Sequence, residues 1–226
     1  MARSKLLKDV VAGDEDIENI LLRLKVVLSD LQNPLIIKWV NGELEGYENL
    51  ESLPEYRVIQ GYPVGNYIVN YRAQYSDSQV PLENLISSEE IDEITTIHIT
   101  DGISTLNKVY GDTKESKYAK VIPTAFCHSI SIPELQLTGM KVVAPPNIIR
   151  GIYSKVKSKL VEVIMELEKQ FDNLDDLDIE SQVKENPTKA KETIYQIGKI
   201  IFDDSINIGD RNKIKKSSIG NILKGR

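Results

Sequence analysis

Residues 147–171 read Asn-Ile-Ile-Arg-Gly-Ile-Tyr-Ser-Lys-Val-Lys-Ser-Lys-Leu-Val-Glu-Val-Ile-Met-Glu-Leu-Glu-Lys-Gln-Phe. Ile148, Ile149, Ile152, Val156, Leu160, Val163, Ile164, Leu167 and Phe171 recur at steps of three and four. That period predicts a helix of about six turns whose apolar stripe is wide enough to sit at the centre of a core. Pro145-Pro146 closes the region before it.

Working back from this helix, residues 111–145 carry few helix signals. Lys120-Val121-Ile122, Phe126 to Ile132 and Lys141-Val142-Val143 read as strands or packed loops. A further helix begins at Ser87 or Ser88, where Ser87 and Glu90 have capping-box spacing. Ile91, Ile94, Ile97, Ile103 and Leu106 supply its buried face, weakened at Gly102. Tyr56-Arg57-Val58-Ile59 and Tyr67-Ile68-Val69-Asn70-Tyr71 are β-branched and aromatic. They read as two short strands separated by the Gly and Pro of residues 61–65. Val80-Pro81-Leu82 is an extended connector, because proline biases its predecessor away from helix.

At the N-terminal side, Ile17, Ile20, Leu21, Leu24, Leu28 and Leu31 define one helical face over residues 14–31. Gly13 and Asp14 mark its start, with acids in the first turn where the helix dipole favours them. Asn33-Pro34 restarts a second helix, with Asn33 as cap and proline at the first helical position. That helix carries Trp39 and stops at Gly46, and the short link predicts a helical hairpin. Beyond the long helix, residues 172–180 are rich in Asp and Leu and read as a loop. Residues 187–202 read as a helix with Ile194, Ile197 and Ile201 on one side.

Together these predict an α+β fold: a helical hairpin and a long core helix packed with a small antiparallel sheet, plus a short C-terminal β-staircase. The expected divisions are an α+β domain over residues 1–171, an acidic loop and helix over 172–205, and a rung motif with a basic tail over 206–226.

The staircase rests on a repeat. Ile208-Gly209-Asp210 recurs as Ile219-Gly220-Asn221, eleven residues later. Each glycine with its Asp or Asn suits a turn needing positive φ. Ile206, Ile208, Ile214, Ile219 and Ile222 flank these turns on short extended runs. Repeat units of this kind bury their apolar edge only in stacks of about three or more. Either other chains complete the stack, giving a homo-oligomer joined through Ile206, Ile208, Gly209, Ile214, Ile219, Gly220 and Ile222, or a hairpin packs on its own domain.

Composition narrows the function. The 226 residues are 41% apolar and 27% charged, ordinary for a soluble globular protein. With 34 acids and 28 bases the net charge is −6, which excludes a whole-chain basic footprint for nucleic acid. Charge is uneven: residues 1–110 hold 18 acids and 9 bases, and residues 211–226 hold bases and no acid. Lys213, Lys215 and Lys216 in that tail are either a solvated terminus or a contact for an acidic or nucleic-acid partner. One cysteine excludes an internal disulfide, and with two histidines it leaves no set for the common four-ligand zinc sites. No signal peptide and no membrane span is read, and Cys127 suits a reducing compartment, so the expectation is a cytoplasmic protein with no membrane partner.

No reaction motif stands out, and no cofactor is expected. Cys127 and His128 are neighbours, so in an extended strand they face opposite ways. His98 and Asp101 have helical i,i+3 spacing but lack an activated nucleophile, and read as a surface pair. Asp172, Asp175, Asp176 and Asp178 lack the glycine turn and closing glutamate of a calcium loop. Trp39 and Tyr47 are either packing residues or a docking surface. The same choice applies to Tyr56, Tyr67 and Tyr71, within a chain of ten tyrosines and three phenylalanines.

Leu6-Leu7 through Asp14-Glu15-Asp16, then Leu-Ile-Ile-Lys-Trp-Val-Asn-Gly-Glu-Leu-Glu-Gly-Tyr at 35–47, resembles the opening of the AbiTii domain. Leu53-Pro54-Glu55-Tyr56-Arg57-Val58, Val80-Pro81-Leu82 with Leu85, and the long helix after Pro146 fit it too. The resemblance covers roughly residues 1–171, and the Trp39–Tyr47 string is its most specific part. The family is named after the second protein of a two-component abortive-infection system against bacteriophage. It implies a role in phage defence and supplies no catalytic residues. The expectation is therefore a non-enzymatic sensor or adaptor that self-associates, contacting a phage component or a neighbouring defence protein. Two other readings stay open: a nuclease or nucleotide hydrolase assembled from scattered residues, and a nucleic-acid binder using the basic tail.

Overall fold

The computed structural model describes residues 3–13, 15–110 and 118–202. Among them the chain runs α1 (Lys5–Ala12), α2 (Ile17–Ser29), α3 (Pro34–Glu45), β1 (Val58–Gln60), β2 (Tyr62–Val69) and β3 (Ala73–Gln79). It continues through α4 (Ser88–Thr95), β4 (Thr96–His98), α5 (Ile103–Tyr110), β5 (Ala119–Ile122), α6 (Thr124–Ser129) and β6 (Leu135–Val143). It ends with α7 (Pro146–Gln170), α8 (Glu180–Glu185) and α9 (Pro187–Phe202). The fold is α+β with small antiparallel sheets.

The chain divides into two compact units, one from the described parts of Met1–Asn41 and Ser158–Arg226, the other from those of Gly42–Lys157. In the first unit, local chemistry sets the helix ends. Ser4 Oγ caps α1 by accepting from the Leu7 N–H, and Gly13 ends it at φ 77°. Gly13 thus closes one helix, and Asp16 caps the next. Asn33 Oδ1 accepts from the N–H groups of Leu35 and Ile36 at the start of α3, as its position before Pro34 requires. The predicted stripe of α2 is buried throughout, as are Leu160, Val163, Ile164, Leu167 and Phe171. Long-range polar ties hold the ends. Ser4 N–H and Arg3 donate to Glu168, Lys5 N–H to Asp175, and Ile179 N–H to Asp30. The acidic stretch after Phe171 is therefore not a plain loop. It holds a 3-10 turn at Leu174–Asp176 with Leu174 buried, and α8 begins at Glu180.

The second unit contains both sheets. Four strands lie in the order β3-β2-β6-β5, all antiparallel, and β1 pairs with β4 in a separate ladder. Three expectations are corrected here. The glycines and prolines of residues 61–65 do not separate two strands, since β2 already starts at Tyr62, and Tyr56 and Arg57 lie in a 3-10 turn before β1. The helix expected from Ser88 through Leu106 breaks at Thr95. The chain turns extended there because Ile97 and Ile99 alternate inward around exposed His98, the period of a strand. Finally, Phe126 to Ile132 is mostly helical in α6, started by Pro123, instead of strand or loop. Ser87 and Glu90 do form the capping box.

Candidate functional site

The string Gly42-Glu43-Leu44-Glu45-Gly46-Tyr47 ends α3 and folds the chain back on itself. Gly46 adopts φ 101°, which glycine tolerates without strain. Its N–H donates to Gly42 O, and the Tyr47 N–H donates to Thr100 O at 2.8 Å. Tyr47 thereby lays its ring over Gly42, where a Cβ would stand only 2.3 Å from Tyr47 Cε1. Glu43, one residue on, points inward.

Four donors converge on the Glu43 carboxylate. Tyr47 Oη donates to Oε1 at 2.7 Å and Tyr56 Oη donates to the same oxygen at 2.6 Å. Arg57 Nε donates to Oε1 at 3.0 Å and Nη2 to Oε2 at 2.6 Å, a bidentate fork. Arg57 Nη1 is turned the other way, donating to Ile99 O at 3.1 Å and Asp101 O at 2.8 Å. The guanidinium also lies 5.1 Å from the centre of the Tyr47 ring. The 3-10 turn at Glu55–Arg57 presents Tyr56 and Arg57 from consecutive positions.

Glu43 and Arg57 are fully buried. Burying either charge alone costs several kcal/mol, so the pair stands only because each supplies the other's partner. Burial alone would lower the Arg57 pKa, but the Glu43 carboxylate outweighs it and raises it. Burial first, and the negative Glu43 second, hold the Tyr47 phenol well above its ordinary value. These contacts form a single knot. It staples the end of α3 to the turn before β1 and, through Ile99 and Asp101, to the chain after β4. A carboxylate this occupied is a structural clamp and not a free acid or base.

A cleft of about 430 Å³ is lined by Ile97, His98, Asp101, Tyr118, Ala119 and Lys120. His98 lies on β4 and is exposed, and no hydrogen bond joins it to Asp101 among the described residues, so the expected helical pair is not formed. Lys120 Nζ donates across the cleft to Ile94 O at 3.1 Å and Thr96 O at 3.2 Å. Among the described residues no three His, Cys, Asp or Glu side chains gather where a metal ion could be shared, so the nuclease reading draws no support from them. Cys127 and His128 sit on α6 instead of a strand, and Cys127 is buried.

Of the five residues expected at a docking face, four are interior: Trp39, Tyr47, Tyr56 and Tyr67. Tyr67 stacks on Tyr75 with ring centres 4.9 Å apart and donates to Gln79 O. Tyr71 is 68% exposed at the β2–β3 turn, where Asn70 and Tyr71 both take positive φ. Of the five, Tyr71 alone is exposed. The apolar payload of the other four is spent inside.

The family model of AbiTii matches residues 4–192. The chain belongs to the AbiTii family. No curated protein and no solved structure matches it. AbiTii membership points to abortive-infection defence against phage. The match runs beyond residue 171, through α8 and into α9, so these helices are part of the AbiTii region. The Trp39–Tyr47 string that carries the AbiTii resemblance encodes the clamp around Glu43. Sequence reading missed the clamp because it left Tyr47 and Tyr56 between packing and a docking surface and placed Arg57 in a strand. The spacing Gly42-Glu43…Tyr47, with the aromatic four residues after an acid on a helix, was the available signal. Among the described residues no helix is long and apolar enough to cross a membrane. The expected assembly residues Ile206, Ile208, Gly209, Ile214, Ile219, Gly220 and Ile222, and the basic Lys213, Lys215 and Lys216, lie outside the described residues.

Proposed function

We propose that this AbiTii protein acts in phage defence as a non-enzymatic sensor or adaptor that self-associates through residues 206–226. The observation that carries the reading is the state of the Glu43–Arg57 clamp. The string most specific to the family folds into a buried, internally satisfied knot that holds loops in place. A signature spent on architecture suits a protein that works by presenting surfaces. The repeat of Ile208-Gly209-Asp210 at Ile219-Gly220-Asn221 adds the assembly element, since two rungs leave apolar edges that other copies can cover. A phage component or a neighbouring defence protein would be the partner read by the assembled particle.

The test is the mass of the purified full chain by native mass spectrometry, beside a chain truncated after Ser205. Self-association through the tail gives an oligomer for the first and a monomer for the second. The truncation leaves residues 4–192, the family match, intact. An oligomer in both samples moves the interface elsewhere, and a monomer in both removes self-association.

A further inference from the structure

The cleft between β4 and β5 lies between two strand edges. In the β1–β4 ladder Ile59 stands opposite Ile97, the Ile99 N–H donates to Arg57 O, and the Gly61 N–H donates to Thr95 O. Residues 95, 97 and 99 therefore turn their peptide groups toward β1, and Thr96 and His98 turn theirs away. In the β5–β6 ladder Lys120 stands opposite Val142 and Ile122 opposite Met140, while the Ala144 N–H donates to Tyr118 O. Tyr118, Lys120 and Ile122 thus face β6, and Ala119 and Val121 direct their peptide groups the other way. Neither β4 nor β5 has a second strand neighbour among the described residues.

The strand order closes this picture. Only Gly61 separates β1 from β2. Gly61 sends its N–H to β4, and the next residue, Tyr62, is already paired with Val143 of β6. Adjacent residues of a strand direct their peptide groups to opposite edges, so β4 and β6 flank the β1–β2 ribbon on its two sides. The sequence of neighbours is then β4, β1–β2, β6, β5, with β3 beside β2 on the β4 side, and β5 and β4 face each other across the cleft. The Lys120 ammonium reaches across that opening to the carbonyls of Ile94 and Thr96. Beside it the cleft holds about 430 Å³.

We propose that this opening receives an extended segment from residues 206–222 of a second copy of the chain, which adds a strand between β4 and β5. The inference rests on the self-association reading and gives it an acceptor. Backbone pairing supplies affinity in such strand addition, and side-chain alternation supplies register. Ile206 and Ile208 have the alternation of a strand, with one face apolar. Charge favours the same occupant. Residues 211–226 contain bases and no acid, and α4, which leads directly into β4, exposes Glu89, Asp92 and Glu93.

The test uses the full-length protein with p-benzoylphenylalanine in place of Val121, a side chain 79% exposed on the free edge of β5. This light chain is mixed with an isotopically heavy chain carrying the native valine, allowed to exchange, and irradiated. Mass spectrometry then reads the cross-linked peptides. The proposal expects cross-links from position 121 to residues 206–222 of the heavy copy. In parallel, Val121→Pro removes a free-edge donor without removing a bond to β6, and should raise the dissociation concentration of the oligomer by about tenfold, the worth of one strand hydrogen bond. Cross-links confined to the tail of the same light chain would overturn the second-copy occupant. An oligomer with cross-links elsewhere or none would overturn the acceptor and leave self-association standing. A monomeric full chain would remove both.

Discussion

Arg57 Nη2 stands 2.6 Å from Glu43 Oε2 with both side chains out of contact with water. Two tyrosine hydroxyls and two backbone carbonyls complete the group. Glu43 is the shared acceptor, so its removal takes a partner from both phenols and from two guanidinium donors at once.

Glu43→Leu and Arg57→Met should each cost about 3–5 kcal/mol, because each leaves an unpaired charge in the interior. The two losses should be strongly non-additive in the double variant. The double variant should remain less stable than wild type, since it still removes the partners that Ile99 O, Asp101 O and the Tyr47 phenol have in the knot. Urea unfolding of the four proteins measures this. Equal additive losses would mean that the pair acts independently.

Glycines separate into those that carry a contact and those that do not. Gly42→Ala should destabilise despite alanine's better helix propensity, because its Cβ would stand 2.3 Å from the Tyr47 ring. Gly151 in α7 and Gly198 in α9 have nothing within 4 Å of the same position. Alanine there should stabilise by about 0.5–1 kcal/mol. Thermal melts of the three single variants show the contrast, and a neutral Gly42→Ala would contradict the seating of Tyr47.

Glu168 gives an acid-side dependence. Burial alone would raise its pKa, but the Arg3 guanidinium and the Ser4 hydrogen bonds outweigh that and hold it below the usual carboxylate range. A lowered folded pKa means that the contribution is fully present above the unfolded value of about 4.3 and is lost as pH falls through the folded value. The denaturation midpoint of wild type should therefore drop more steeply than that of Glu168→Gln as pH falls below about 4.3. Parallel slopes would remove the Ser4–Glu168 tie as a source of stability.

Cys127 is buried on α6, and burial pushes its thiol up. Native protein should react slowly with a disulfide reagent at neutral pH, and at the rate of an unstructured thiol in denaturant. Fast labelling of the native protein would show that α6 opens readily.

Much of the helical part was legible because long amphipathic periods override local detail. The stripes of α2 and α7, the Asn33-Pro34 restart and the Ser87–Glu90 box all sit where the sequence places them. Short elements were not. Eight-residue α1 offers only Leu6, Leu7 and Val10 as a pattern. The wholly surface β3 has polar residues on both faces and so shows no alternation. Ile91, Ile94 and Ile97 keep helical spacing across the α4–β4 junction by coincidence, and the β-branched Thr95-Thr96 that ends the helix is a weak signal beside them. The clamp was illegible for a different reason. A lone buried Arg and Glu separated by 14 residues have no period at all, and only the fold brings them together.

Sedimentation velocity of the full-length protein at micromolar concentration, beside the chain truncated after Ser205, tests the central claim most directly. Assembly through the C-terminal stretch predicts a species of several subunits for the first and a single subunit for the second. A full-length chain that sediments as one subunit across that range would contradict it.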